Sequence, residues 1–168
     1  MKFDKKQQFI NTLDAHKKII YKIVNSYCPN KENRKDLEQE IIIQLWNTFD
    51  RYDSQYKYST WMYRIALNVA ISHYRKEKKG LVQTDLYNEE SVYTIADELE
   101  YDPSLDINIS LLQDFIDKQN ALNKALLLLY LEEKSYDEIA AILGITKTNV
   151  ATKISRLKQQ LKKEFKNR

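Results

Sequence analysis

The feature that most limits the fold of this chain is its scarcity of residues that end helices. The 168 residues include only two glycines and two prolines, the residue types that most often end a helix. All four, Gly80, Gly144, Pro29 and Pro103, lie between stretches in which apolar residues recur every three or four positions. This spacing places apolar side chains on one side of an α-helix, whereas a half-buried strand would need alternation at every second residue. The sequence therefore predicts an all-α protein with long helices and short turns.

Charge divides the chain into three blocks that its net charge of +3 conceals. Residues 1–79 carry 16 Lys and Arg against 9 Asp and Glu, and residues 118–168 carry 11 against 5. Between them, residues 80–117 contain 10 acidic side chains and no Lys or Arg. Basic blocks favour a polyanionic partner such as nucleic acid, and an acidic block would avoid it.

The charge pattern also indicates how the chain is divided. We expect two small helical domains, residues 1–80 and 110–168, joined by an acidic linker over residues 81–109. A linker of roughly thirty residues is long enough to let two domains move independently.

The stretch at 135–157 has the pattern of two short helices joined by a tight turn. Ser135 is placed to cap the first helix, Gly144 suits a left-handed turn, and Thr146 is placed to cap the second. Apolar residues of the second helix recur at Val150, Ile154 and beyond, which predicts one buried stripe. The opposite face is polar and basic, with Thr148, Asn149, Thr152, Lys153 and Arg156. This is the plan of a helix-turn-helix, although an ordinary helical hairpin with a solvated face would share much of it.

The N-terminal block predicts three helices, at 5–27, 31–49 and 61–79. The second helix has a polar edge that contains Asp36, Gln39, Glu40 and Gln44. Its carboxylates could suggest a metal site, but no histidine or further acid joins them. A solvated or partner-facing edge is therefore the favoured interpretation.

Residues 50–60 break the helical periodicity with a loop that combines tyrosines and cations. Tyr52, Tyr56 and Tyr58 surround Lys57, and such a mixture suits stacking on unpaired bases and holding phosphates. One or two of these rings could instead close the core. The helix that follows from Trp61 has a polar edge that becomes basic, with Asn68, Ser72, Arg75 and Lys76.

Several classes of protein are disfavoured by what the sequence lacks. No apolar run approaches the eighteen or so residues of a membrane span, and the first residues do not resemble a secretory signal. A lone cysteine, Cys28, allows no internal disulfide, and His16 and His73 are too far apart in sequence to suggest a metal cluster. We expect a cytoplasmic protein without membrane insertion, structural metal or cofactor.

Three motifs together resemble the sigma-70 family of bacterial RNA polymerase sigma factors. Residues 36–46, Asp-Leu-Glu-Gln-Glu-Ile-Ile-Ile-Gln-Leu-Trp, and residues 58–68, Tyr-Ser-Thr-Trp-Met-Tyr-Arg-Ile-Ala-Leu-Asn, are similar to conserved region two. Residues 135–157 are similar to region four. A chain with only these two regions resembles the small extracytoplasmic-function (ECF) group.

The resemblance implies a role for each candidate residue. Asp36, Gln39, Glu40 and Gln44 would contact core RNA polymerase. The −10 promoter element would be opened and held by Tyr52, Tyr56, Lys57, Tyr58, Trp61, Asn68, Ser72, Arg75 and Lys76. The −35 element would be read by Thr148, Asn149, Thr152, Lys153 and Arg156. An anti-sigma factor is a further expected partner, and no catalytic residue is implied.

Two alternative functions belong to other classes of protein. A stand-alone helix-turn-helix regulator would bind duplex DNA as a dimer and use residues 1–79 for dimerisation or sensing. It would have little need of an aromatic loop for single strands. A metal-dependent nuclease that uses Asp36 and Glu40 is the more distant alternative.

Overall fold

The computed structural model describes residues 2–84 and 103–167, with side chains placed for residues 4–79 and 107–167. Within the described residues every regular element is helical, so the predicted all-α class is confirmed. In chain order the elements are α1 (Lys2–Tyr27), α2 (Lys31–Thr48), a 3₁₀ turn (Phe49–Arg51), α3 (Tyr58–Thr84), α4 (Pro103–Asp117), α5 (Ala121–Leu131), α6 (Tyr136–Leu143) and α7 (Lys147–Lys166).

The ends of α3 and α4 differ from the predicted ones. We expected a helix from Trp61 that ends at Gly80, but α3 begins at Tyr58 and continues through Gly80 to Thr84. A glycine inside a helix costs only about 1 kcal/mol relative to alanine, which a long helix tolerates. The prediction that Gly80 ends the helix was therefore wrong.

Pro103 was expected to interrupt a linker, but it is the first residue of α4. Proline is favoured at that position because the missing N–H would have no partner inside the helix and the fixed φ suits helical backbone. The predicted linker at 81–109 thus includes the end of α3 and the start of α4, and its residues 85–102 lie outside the described residues.

Helices α1, α2 and α3 form the N-terminal bundle, whose core is closed by the apolar stripes read from the sequence. Ile23, Leu37 and Leu45 are completely buried, and Met62 is 1% exposed. Asn30 caps α2, because its side chain accepts a hydrogen bond from the backbone N–H of Glu32 at 3.0 Å. The lone cysteine, Cys28, is buried, and burial raises the pKa of its thiol.

Helices α4 to α7 form the C-terminal bundle around Phe115, Leu126, Ile139 and Ile154, all nearly inaccessible. This bundle lies directly against the N-terminal one, with α5 and α6 packed on α3. The two cores form one continuous cluster of buried residues. Although the linker was expected to let the domains move independently, in this structure they are packed together.

Candidate nucleic-acid interface

Four aromatic rings interlock where the 50–60 loop meets α3. Tyr52 and Tyr58 are stacked, with centroids 4.1 Å apart and planes 17° from parallel. Trp61 contacts Tyr52 edge-on at 5.7 Å and Phe49 at 5.9 Å. These arrangements add stabilisation beyond the area they bury. Desolvation, with a smaller contribution from Tyr58, raises the pKa of Tyr52. We call Phe49, Tyr52, Tyr58 and Trp61 the aromatic cluster.

The third tyrosine of the loop is arranged differently. Tyr56 is 46% exposed, and within the described residues its ring stacks on none of the rings of the aromatic cluster. The Tyr52 hydroxyl donates a hydrogen bond to the Tyr56 backbone carbonyl, so the cluster positions the loop that presents the free ring. Lys57 beside it is exposed. The sequence left open which tyrosines close the core. In the structure, Tyr52 and Tyr58 pack in the aromatic cluster, and Tyr56 does not.

The polar edge of α3 follows the aromatic cluster along one helix face. Asn68, Ser72, Arg75 and Lys76 are all exposed, and their spacing of four, three and one keeps them on one side of the helix. Tyr74 points the other way and is 9% exposed. Loop and helix edge together therefore form a continuous surface of an open aromatic ring, amides and cations.

The acidic edge of α2 is also solvent-facing. Asp36, Gln39, Glu40 and Gln44 are exposed, and among the described residues no group of three or more His, Cys, Asp or Glu is arranged to hold a metal ion.

An apolar side chain on this face was missed by the sequence interpretation. Ile43 is 56% exposed and lies three or four residues from Glu40 and Gln39. The run of Ile41, Ile42 and Ile43 could have revealed it, since three successive helix residues cannot all face one core.

The helix-turn-helix is formed by α6, the turn at Gly144 and α7. A capping box begins α6: the Ser135 side chain accepts from the Glu138 N–H at 3.1 Å, and the Glu138 carboxylate accepts from the Ser135 N–H at 3.0 Å. Gly144 ends it with φ of 68°, a left-handed conformation that suits glycine. Thr146 caps α7 by accepting from the Asn149 N–H at 3.1 Å.

The outer face of α7 presents the predicted polar side chains. Val150, Ile154 and Leu157 are buried, which leaves Thr148, Asn149, Thr152 and Arg156 exposed and Lys153 half-buried. The Thr152 hydroxyl donates to the Thr148 carbonyl at 3.0 Å, so it is engaged by the helix itself. The Arg156 side chain is free to reach a base edge or a phosphate.

Another cation of α7, Lys158, lies on the side of the helix next to α5 and not on the face of Arg156. Lys158 lies over the Tyr130 ring, with 4.5 Å from its ammonium nitrogen to the ring centroid. A hydrogen bond with Tyr130 is the main cause of its raised pKa. On the outer face, Lys153 and Arg156 supply the positive charge that a DNA backbone attracts.

Comparison with known protein families identifies both bundles. The sigma-70 region 2 model matches residues 12–80, and a sigma-70 region 4 model matches residues 121–161. The RNA polymerase sigma factor YlaC of Bacillus subtilis is 30% identical over 135 residues, which cover 80% of this chain and 78% of YlaC. This chain belongs to the sigma-70 family of RNA polymerase sigma factors.

Further relatives place this sigma factor in the extracytoplasmic-function group. The ECF RNA polymerase sigma factor SigW of B. subtilis is 27% identical over 168 residues, covering 95% of this chain and 89% of SigW. Two solved structures share the fold. RpoE of Bartonella quintana, in complex with the anti-sigma factor NepR, has a TM-score of 0.70 at 20% identity and 97% coverage of both chains. CnrH, in complex with the cytosolic domain of CnrY, has a TM-score of 0.67 at 16% identity, covering 96% of this chain and 90% of CnrH.

Membership in this family makes the protein a transcription initiation factor and not an enzyme. The stand-alone regulator is not favoured. None of the helices that the structure describes is long and apolar enough to cross a membrane.

Proposed function

We propose that this sigma factor binds core RNA polymerase with its N-terminal bundle and directs it to promoters that both bundles recognise. The observation that carries the proposal is that one chain matches sigma-70 regions two and four, and that each match contains exposed polar side chains at the positions singled out from the sequence. We assign residues 1–80 and 110–168 to the two functions, with residues 81–109 as the acidic connection.

Polymerase binding is assigned to the exposed face of α2. Asp36, Gln39, Glu40 and Gln44 supply polar contacts, and Ile43 adds an apolar side chain that would be covered in the complex. An acidic edge on a basic domain is unsuited to DNA and suited to a partner protein with complementary charge.

Promoter opening is assigned to the loop and α3. Tyr56 stacks on an unpaired base of the −10 element, because an extruded base needs a new stacking partner to compensate for the one it lost. The aromatic cluster holds the loop that presents this ring, through the hydrogen bond from the Tyr52 hydroxyl to the Tyr56 backbone carbonyl. Phosphates and sugars of the neighbouring strand are held by Lys57, Asn68, Ser72, Arg75 and Lys76.

Recognition of the −35 element is assigned to α7, which would lie in the major groove. Thr148, Asn149, Lys153 and Arg156 face outward there, and arginine or lysine can donate to guanine edges. Thr152 is better placed to contact a phosphate than a base, since its hydroxyl already donates to the helix.

Two further assignments concern the location of the protein in the cell and its regulation. We place the protein in the cytoplasm, where RNA polymerase acts. RpoE and CnrH, which share its fold, were solved with NepR and with the cytosolic domain of CnrY. This supports an anti-sigma factor as a regulator of this chain as well.

The test is transcription in vitro with purified core polymerase and a promoter library. The wild-type chain should yield specific start sites that core polymerase alone does not. Asp36→Arg should abolish association with the polymerase, whereas Asp14→Arg, the same charge change at an exposed position of α1, should not. A wild-type chain that binds one duplex as a symmetric dimer and fails to associate with polymerase would contradict the proposal.

A further inference from the structure

A cleft lined by cations lies where the last turns of α3 meet the start of α5. Its volume is about 470 Å³, within the range of small-molecule sites in proteins. The residues that line it are Tyr74, Arg75, Lys78, Lys79, Asn120, Ala121 and Leu122. Three of them are cations and none is acidic. We call this the α3–α5 cleft. A cleft lined by charge of one sign attracts ligands of the opposite sign, so its lining predicts an anionic ligand.

A surface cation and a buried cation converge on the Tyr74 ring of this cleft. Lys78 is exposed, and its ammonium nitrogen lies 4.6 Å from the centroid of that ring. Lys124 is 4% exposed, and its ammonium nitrogen lies 4.9 Å from the same centroid. The contact with the ring orients the Lys78 ammonium group. Because a buried charge is surrounded by a low dielectric, Lys124 adds to the positive potential that the exposed cations create.

Two carboxylates near the cleft in sequence contact other side chains. Asp117, four residues before the start of α5, lies 3.9 Å from the ammonium nitrogen of Lys124. Glu77, on α3, lies 3.8 Å from the Nε2 atom of His73. Neither side chain lines the α3–α5 cleft. The positive charge of its lining is therefore available to a ligand.

The opposite side of the cleft supplies hydrogen-bond donors from the start of α5. The Asn120 side-chain oxygen caps this helix by accepting from the Asn123 N–H at 2.9 Å, which leaves the amide nitrogen of Asn120 to donate to a ligand. Ala121 and Leu122 are the first two residues of α5, so their backbone N–H groups have no carbonyl partner within the helix. The cleft thus combines donors of two kinds, charged ones from α3 and neutral ones from α5.

The composition of the lining indicates the class of anion. Arg75 can hold two phosphate oxygens at once, and the lysines act as point charges beside it. Three cations this close together match a ligand with several charges in a row, as in a chain of phosphates. Leu122 is half-buried and Tyr74 is 9% exposed, so part of the wall is apolar and aromatic. Such a wall suits the nucleoside part of a ligand better than water or a second anion.

We propose that the α3–α5 cleft is a binding site for a nucleoside polyphosphate, whose phosphates are held by Arg75, Lys78 and Lys79 and whose nucleoside lies against Leu122. One consequence follows for promoter opening. Arg75 is also assigned to the −10 strand, so the bound ligand and that strand compete for one guanidinium group. This consequence rests on the proposed function, whereas binding of the ligand concerns this chain alone.

The first test measures binding to the full-length chain without polymerase or DNA. Isothermal titration calorimetry in magnesium-containing buffer compares adenosine triphosphate, inorganic tripolyphosphate and adenosine. Adenosine triphosphate should bind at one site per chain, tripolyphosphate more weakly, and adenosine not measurably. Lys78→Glu and Lys79→Glu should each weaken binding of adenosine triphosphate about tenfold or more, because each removes a charged donor and adds a repelling carboxylate. Both positions are exposed, so neither change threatens the fold.

The matched control is Lys6→Glu, the same charge change at an exposed position of α1. Tyr27, whose ring contacts Tyr74 edge-on at 5.8 Å, lies about 30 Å further along that helix. The control should bind adenosine triphosphate as the wild type does. Equal losses in all three variants would show attraction to a basic chain in general and would overturn the site, as would a wild type that does not bind. Equal affinities for adenosine triphosphate and tripolyphosphate would overturn the nucleoside part.

The second test asks whether the ligand competes with the −10 strand. Permanganate footprinting of the complex with core polymerase is done with and without saturating adenosine triphosphate, and with no other nucleotide. Opening by the wild type should fall several-fold, whereas opening by Lys79→Glu should stay at its own ligand-free level. The nucleotide site of the polymerase is present in both complexes, so the difference between the chains is the measured effect. Equal responses of the two chains would overturn the competition. A wild type that opens no promoter without the ligand, despite measured binding, would instead overturn the proposed function.

Discussion

The two proposed DNA-contacting surfaces of this sigma factor are built in opposite ways. In the N-terminal bundle, Tyr52, Tyr58 and Trp61 lock one another in place and support a single open ring, Tyr56. In the C-terminal bundle, Asn149 and Arg156 project separately from one face of α7. The difference matches what each surface is proposed to do. Holding an extruded base requires a rigid apolar platform, whereas reading an intact duplex requires polar groups left free to donate and accept.

The largest expected effect on promoter opening distinguishes the exposed ring of Tyr56 from the packed rings of the aromatic cluster. We expect Tyr56→Ala to reduce promoter opening by about thirtyfold, since stacking of one base on an aromatic side chain contributes about 1–3 kcal/mol. Because Tyr56 is exposed, the free energy of unfolding should stay unchanged. Permanganate footprinting of the −10 element measures the first quantity, and urea titration measures the second.

Tyr52→Ala is the matched control, because its ring is stacked on Tyr58. This change should lower the free energy of unfolding by about 2 kcal/mol as well as impair opening. If Tyr56→Ala opens promoters normally while Tyr52→Ala impairs opening without loss of stability, the assignments of the two rings are reversed.

A smaller effect should come from the recognition helix. We expect Arg156→Ala to weaken binding to a −35 duplex about tenfold, within the 1–3 kcal/mol of a good contact to a base pair. Opening of a template already melted at the −10 element should not change. Fluorescence anisotropy with the −35 duplex gives the affinity, and Gln159→Ala, exposed one turn further along α7, serves as the control. Equal losses in both variants would show that Arg156 has no special part in recognition.

The smallest effect concerns the turn that orients α7. Gly144→Ala should destabilise the protein by about 1–2 kcal/mol through its left-handed backbone alone, since an added Cβ would meet nothing within 4 Å. Gly144→Asn should cost less, because asparagine tolerates this conformation. Urea titration of both variants provides the comparison. An equal cost for alanine and asparagine would mean that the side-chain volume, and not the backbone, limits this turn.

Interactions between residues close together in the sequence determined much of the secondary structure of this protein. The all-α class, the capping box at Ser135, the stop at Gly144 and the cap at Thr146 depend on residues within one or two turns of each other, so spacing alone revealed them. The exposed face of α7 followed in the same way, since a buried stripe at Val150 and Ile154 specifies the side opposite to it.

Only the tertiary structure decided the properties that depend on distant neighbours. Whether Tyr52 or Tyr56 is locked depends on packing against Tyr58 and Trp61, and no periodicity in a loop indicates that choice. Gly80 lies inside a helix despite its low helix propensity. Lys124 looks like a surface residue in the sequence, and it is buried because the rings of Tyr27 and Tyr74 enclose it.

 Burial of that side chain is set by rings that approach it through the fold, 97 positions earlier in the case of Tyr27 and 50 in the case of Tyr74. No window of neighbouring sequence contains both of them, so packing alone could reveal the contact.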